Sequence, residues 1–141
     1  MGMILTMSVE SGLLRFIATG EFSLEESQRT FLEMIDAVAR QKTVKILFDG
    51  RELKGDPTTI QRFLYGEFVA HTVVKGLIAR EVHYAPQFAY LLQEPVLDPQ
   101  RFGETVAINR GMWVQAFDHL EDALGWLELA PAITPDAGEA R

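Results

Sequence analysis

The stretch from residue 98 to residue 121 constrains the fold most, because helical and strand patterns alternate there without a gap. Asp98-Pro99 is typical of a helix start, and Gly111 is typical of the residue just after a helix end. Residues 112–117 have the composition of a buried strand, and Asp118 stands where the cap of a further helix belongs. This order predicts an α/β protein with parallel strands.

The rest of the chain predicts a mixed sheet. Two β-rich runs, residues 3–10 and 13–20, are joined by Ser11-Gly12, a link that favours an antiparallel hairpin. Three strand–helix units follow, and their crossovers are expected to be right-handed. The predicted fold is therefore α/β, with about five strands and about four helices mainly on one face.

Local signals give the expected element bounds. Ser23 predicts the start of the first helix, and residues 44–49 predict a buried strand followed by a loop over 50–56. Asp56-Pro57 then predicts the cap and first residue of helix two. The apolar side of that helix is expected to pack in the core and is made up of Ile60, Phe63, Leu64 and Phe68.

Length and composition predict one domain. A chain of 141 residues with 48% hydrophobic residues is long enough for a single core. We expect one domain over residues 1–129 and a flexible tail over 130–141, where two Pro and one Gly occur without an aromatic residue.

Charge and cysteine content limit the partners and the compartment. A net charge of −7 opposes binding to nucleic acid, so a nucleic-acid partner is not expected. The chain has no cysteine and shows neither a signal peptide nor an apolar run of about 18 residues. We therefore expect a cytoplasmic protein without integral membrane association.

No catalytic residue, cofactor or metal site is predicted. The glycines of residues 50–55 have phosphate-loop spacing, but Asp56-Pro57 replaces the Lys and Ser/Thr that bind phosphate and Mg²⁺. No Gly-x-Ser-x-Gly elbow is present. Glu67 and His71 are four residues apart on a helix, which favours an exposed ion pair over a metal site.

One corner is the best candidate site by position. Asp49 ends a parallel strand, where open α/β sheets place their ligands, and Arg51 and Asp56 follow it closely. The alternative is that Asp56 caps a helix and the other charges are solvated. Asn109 and Arg110 are either ligand contacts or the end of a helix.

The run Arg101-Phe102-Gly103-Glu104-Thr105-Val106-Ala107, with Asn109-Arg110-Gly111 after it, resembles the STAS superfamily, whose founding members are bacterial anti-sigma-factor antagonists. The likeness is strongest to its uncharacterised single-domain bacterial proteins and covers about residues 3–128. It implies a mixed sheet of the antagonist (SpoIIAA-like) type, which is related to that of a lipid-binding family of the Sec14 type.

The resemblance also implies candidate phosphosites. Switching antagonists carry a phosphorylatable Ser between strand three and helix two, and the matching segment here is Asp56-Pro57-Thr58-Thr59. The Ser is absent, so Thr58 and Thr59 are the residues that could take its role.

Two functions remain open. The leading hypothesis is a non-enzymatic regulatory module that binds a protein partner with this corner. The alternative is a small-molecule or lipid-binding module, which a cavity of about 300 Å³ or more under helix two would favour. A homodimer is also expected, because helices on one side of the sheet would leave Ile17, Leu47 and Trp113 poorly covered on the other.

Overall fold

The computed structural model describes residues 2–10 and 12–133. The element order is β1 (Ile4–Glu10), β2 (Leu13–Glu21), α1 (Leu24–Gln41), β3 (Lys45–Lys54), α2 (Thr59–His71), a π-helical segment (Thr72–Gly76), α3 (Leu77–Ala79), β4 (Gln87–Leu91), α4 (Phe102–Asn109), β5 (Trp113–Phe117) and α5 (Leu120–Ile133). The π-helical segment joins α2 to α3 without a break, so the helices form four bodies. The predicted α/β class and element order are confirmed.

The five strands form one mixed sheet in the order β1-β2-β3-β4-β5. β1 and β2 are antiparallel, and the remaining neighbours are parallel. Each parallel connection passes through a helical body, as the distance between parallel strand ends requires. The predicted hairpin followed by parallel units is therefore confirmed.

Helices cover both faces of the sheet, but unequally. The inner face packs against α1, α2 and α4, and its fully buried side chains include Phe16, Ile46 and Phe88. The outer face packs against α5, whose Ala123 and Leu127 enclose Leu47, Ala89 and Leu91. Most helices therefore lie on one face, as the sequence predicts.

Helix α5 covers more of the outer face than the homodimer prediction assumed. Leu47 is fully buried under α5, and Trp113 lies edge-on to Trp126 at 6.3 Å between ring centroids. Ile17 remains partly exposed. The uncovered face that motivated self-association is therefore largely occupied by α5.

Three local predictions were wrong, one because of strand pairing and two because of local hydrogen bonds. The expected loop over 50–56 is mostly strand, because β3 keeps pairing with β2 as far as Glu21 and Lys54. Asp56 does not cap α2, because Thr58 accepts the Gln61 N–H at 3.1 Å and Gln61 Oε1 accepts the Thr58 N–H at 2.9 Å. Asp118 does not cap α5, because its carboxylate pairs with the adjacent His119.

The first cap was predicted correctly. Ser23 Oγ accepts the Glu26 N–H at 3.1 Å at the start of α1. The reciprocal half of the box is missing, because Glu26 Oε1 instead accepts from the Met3 N–H and from Arg29. This carboxylate therefore links the start of β1 to α1.

The flexible tail predicted over residues 130–141 stays a prediction. α5 continues to Ile133, so residues 130–133 of the predicted tail belong to its last turn. Residues 134–141 lie outside the described residues. Within the part of the chain that the structure describes, no helix is both long and apolar enough to span a membrane.

Candidate functional site

The predicted corner residues fall into two groups. Asp49 lies in register with Leu91 and shares the outer face with the residues under α5. Thr58 and Thr59 lie at the start of α2, which packs on the inner face. Arg110 and Asn109 lie at the end of α4, beside α2. The structure therefore separates Asp49 and Arg51 from the helical residues.

The first group is a buried carboxylate between two arginines. Arg51 donates to both oxygens of Asp49, at 3.0 Å from Nε and 2.8 Å from Nη2, and Arg15 adds a third side-chain bond at 3.2 Å. Burial alone would raise the pKa of Asp49, but the hydrogen bonds from Arg51 and Arg15 hold that pKa below its usual value. This network stabilises the outer face where the register of β2 and β3 shifts.

The second group borders an exposed apolar surface. The α2–α4 surface consists of Ile60, Phe63, Leu64, Glu67, Phe102 and Arg110. Ile60 is 69% exposed and Leu64 is 38% exposed, so this half of the predicted apolar stripe of α2 faces solvent, whereas Phe63 and Phe68 are half-buried. The buried residues of α2 are Gly66, Val69 and Ala70, which lie on another side of the helix.

Close packing between α2 and α4 explains this orientation. A Cβ atom at Gly66 would lie 2.6 Å from the carbonyl oxygen of Gly103, so the two helix backbones almost touch. Because a glycine makes this contact, the exposed side chains of Ile60 and Leu64 lie on another side of α2. Gly103, part of the motif that carries the family resemblance, therefore sets the position of α2.

Aromatic and charged side chains hold the α2–α4 surface together. The rings of Phe63 and Phe102 stack at 6.3 Å, and the Arg110 guanidinium lies 5.5 Å from the centre of the Phe63 ring. Arg110 also pairs with Glu67 at 3.3 Å. Since Glu67 bonds Arg110 rather than His71, the predicted ion pair between Glu67 and His71 is wrong.

A surface groove of about 580 Å³ continues from the α2–α4 surface along the π-helical segment. Leu64, Phe68 and Val74 supply its apolar lining. Its remaining lining residues are polar or charged, namely Gln28, Glu67, His71, Lys75 and Arg110. The groove is therefore open to solvent and mixed in character.

The two candidate phosphosites differ in their surroundings. Thr58 uses its hydroxyl oxygen as the cap of α2, whereas the exposed Thr59 makes no side-chain hydrogen bond within the described residues. Asp56 is 79% exposed and lies 3.7 Å from Arg62. Asn109 is exposed, and its side chain has no hydrogen bond among those residues.

A pocket that is partly open to solvent lies beneath α2. Its volume is about 130 Å³, and its walls are mostly apolar. The hydroxyls of Tyr65 and Tyr90 meet at 2.8 Å beside it, and burial raises the pKa of both phenols. The space equals roughly four waters at about 30 Å³ each.

One group of potential metal ligands occurs among the described residues. Asp118, His119 and Asp122 are all exposed and bring their ligand atoms within 4.8 Å of one another. The hydrogen bond to Asp118 raises the pKa of His119. An exposed cluster of this kind gives no support to a metal site.

The sequence did contain a signal for the exposed surface. α2 carries apolar residues on two sides, Ile60 with Leu64 on one and Val69 with Ala70 on the other. One apolar side is enough to pack a helix against the core, so a second apolar side on the same helix indicates an exposed apolar surface. Arg15 was missed because its partner Asp49 is distant in sequence and meets it only through strand pairing.

The fold of this chain is similar to that of solved structures. The backbone is similar to that of an anti-sigma factor antagonist from Mycobacterium paratuberculosis, with a TM-score of 0.60 and 13% identity over 90% of this chain and 95% of that one. The chain therefore has the fold of this anti-sigma factor antagonist, and the predicted mixed-sheet fold of the antagonist (SpoIIAA-like) type is confirmed.

A second similar structure is an uncharacterized protein of the DUF3478 family with a SpoIIAA-like fold from Shewanella loihica PV-4. Its TM-score is 0.48 and its identity 21%, over 89% of this chain and 94% of that one. No family model matches the sequence, and neither does any curated protein.

Proposed function

We propose that this protein is a regulatory module that binds a protein partner on the α2–α4 surface and acts by binding rather than by catalysis. The observation that carries the proposal is the exposure of Ile60 and Leu64, two large apolar side chains on a well-packed helix. Contiguous exposed apolar side chains with a polar rim are typical of interaction sites. The antagonist fold supports the same class of function.

The composition of the α2–α4 surface fits an interface. Aromatic residues and arginine are enriched where proteins meet, and Phe63, Phe102 and Arg110 supply both. Their mutual contacts restrict these side chains before binding, which lowers the entropy lost on association. Asn109 and Arg110, which the sequence left open between ligand contact and helix end, contribute to the rim.

The small-molecule or lipid alternative has weaker support. Ligand sites usually enclose about 300 Å³ or more, and the cavity beneath α2 has about 130 Å³. The larger groove is an external one lined by exposed charges. The small volume of the first space and the open, charged lining of the second favour a macromolecular partner.

The proposal includes a candidate switch at Thr59. Its side chain is exposed in the first turn of α2, next to Ile60, and it has no role in capping. A phosphate there would add charge at the edge of the apolar surface and lie near the positive end of the helix dipole. Regulation would then act on partner binding rather than on folding. A cytoplasmic location fits this function and the absence of cysteine.

The proposal is tested by affinity capture from an extract of the source organism. Two of the baits, the wild type and a double variant, differ only at the α2–α4 surface, and a third is a control. We expect the wild-type protein to retain a partner that the double variant Ile60→Lys with Leu64→Lys loses. Val44→Lys is the matched control, because Val44 is 47% exposed in a loop outside this surface. Equal recovery with all three baits would reject the α2–α4 surface as the docking site.

The switch is tested with the same capture. Thr59→Glu is expected to weaken recovery of the partner, and Thr59→Ala to leave it unchanged. Unaltered recovery with Thr59→Glu, and with Thr58→Glu as a second variant, would indicate a constitutive binding module.

A further inference from the structure

β1 is an exposed sheet edge. It pairs with β2 on one side only, and among the described residues no other segment pairs with it. A strand at a sheet edge presents unpaired backbone N–H and C=O groups to any other strand. Seven residues at about 3.4 Å each give an edge about 24 Å long.

β1 lacks the features that normally block such an edge. Residues 4–9 contain neither a charged residue nor proline, and the register with β2 runs from Ile4 to Glu10 without a bulge. Ile4 is 62% exposed and Val9 is 60% exposed. The chain has a net charge of −7, yet residues 4–9 of β1 carry no charge that would oppose pairing with another strand.

We propose that β1 pairs with β1 of a second copy of this chain, antiparallel and about a two-fold axis at Met7, so that two sheets join into one of ten strands. Met7 is the middle residue of β1, so this register pairs the whole strand. A two-fold contact needs only one self-complementary surface.

The sequence of β1 is self-complementary in this register. On the inner face Leu5 lies opposite Val9 of the second copy, and Met7 lies opposite its own counterpart, so apolar side chains meet apolar ones. On the outer face Thr6 lies opposite Ser8 of the second copy, a pair that can share a hydrogen bond. This match between the two halves of one strand selects a second copy over an unrelated strand.

Charge does not oppose the pairing. Glu10 is the only charged residue of β1 and lies opposite Ile4 of the second copy. The two Glu10 carboxylates are then about 20 Å apart along the strands, beyond the Debye length of about 10 Å at about 0.1 M salt. The dimer is therefore expected to persist at moderate ionic strength.

Sedimentation velocity of the full chain at increasing micromolar concentrations tests the proposal. We expect the wild type to approach twice the chain mass. Met7→Lys and Met7→Asp should each raise the dissociation constant at least about tenfold, because like charges would face each other at the axis. An equimolar mixture of the two variants should restore a dimer, visible as a mixed species in native mass spectrometry.

Ile60→Lys is the control, since it makes the same kind of change at an exposed apolar residue of α2. A wild type that stays monomeric, or a dimer that Ile60→Lys abolishes and Met7→Lys does not, would overturn the proposal.

Hydrogen exchange of the wild type gives a second test that needs no substitution. Amides of residues 4–10 should become protected as concentration rises, and protection that is independent of concentration would show that the chain covers its own edge.

Discussion

At the scale of single residues, the structure assigns different roles to charged groups that the sequence placed in one corner. Asp49 is 5% exposed and receives hydrogen bonds from two arginines, so it holds strands together. Asp56 is mostly exposed and pairs only loosely with Arg62. Sequence proximity alone could not separate them, because the distinguishing partner, Arg15, comes from β2.

Asp49→Asn is expected to lower the free energy of unfolding by about 2 kcal/mol at neutral pH, because two arginines lose a charged acceptor. The folded-state pKa of Asp49 lies below the reference value of 3.8. Its contribution is therefore complete above that reference value and is lost as pH falls through the folded-state pKa.

Urea unfolding of both proteins at neutral and acidic pH checks this prediction. The difference between wild type and Asp49→Asn should shrink once the pH falls below about 4. A difference that stays constant into acid would mean that the charge of Asp49 does not stabilise the fold.

The cap of α2 gives a second test at this scale. Thr58→Ala should cost about 1 kcal/mol, because Thr58 Oγ1 accepts the Gln61 N–H. Asp56→Ala should cost less than about 0.5 kcal/mol, since an exposed ion pair contributes little. Thermal unfolding of the two variants should rank them in this order, and the reverse ranking would restore Asp56 as the cap.

At the scale of elements, the sequence predicted strands and helices well where the local pattern and tertiary packing agree. The β1–β2 hairpin, α1 and β5 are examples, since turn, cap and alternation all indicate the same element. The end of β3 was missed because pairing with β2, and not local composition, keeps residues 50–54 extended. The buried side of α2 was missed because it depends on the contact between Gly66 and Gly103.

Gly66→Ala tests that contact. The added methyl would lie 2.6 Å from a backbone oxygen of α4, so the helices must separate, at a cost of about 1–3 kcal/mol. Gly125→Ala in α5 is the matched control, because a Cβ there meets no atom within 4 Å. Similar stability of the two variants in urea unfolding would show that the close approach of α2 and α4 is not needed.

At the scale of the whole molecule, helices lie on both faces of the sheet, yet within the described residues the edge strand β1 and the α2–α4 surface remain exposed. α5 encloses Leu47 on the outer face, which the sequence did not predict, because nothing in the local pattern indicates on which face the last helix packs. Both proposals rest on β1 and on the α2–α4 surface, which are exposed in the structure.

The packing of α5 is tested by Leu127→Ala. Leu127 is 2% exposed and packs in the outer cluster with Leu47 and Ala89, so truncation should cost about 2–5 kcal/mol. Glu128→Ala changes an exposed neighbour and should stay within about 0.5 kcal/mol of wild type. Equal stabilities would mean that α5 contributes little to the core.

The central claim is that a partner docks on the α2–α4 surface, and site-specific photo-crosslinking tests it most directly. A photoreactive p-benzoylphenylalanine at position 60 should form one covalent adduct with a protein from the source organism, and the same group at position 44 should form none. Adducts at both positions, or at position 44 alone, would contradict docking on the α2–α4 surface.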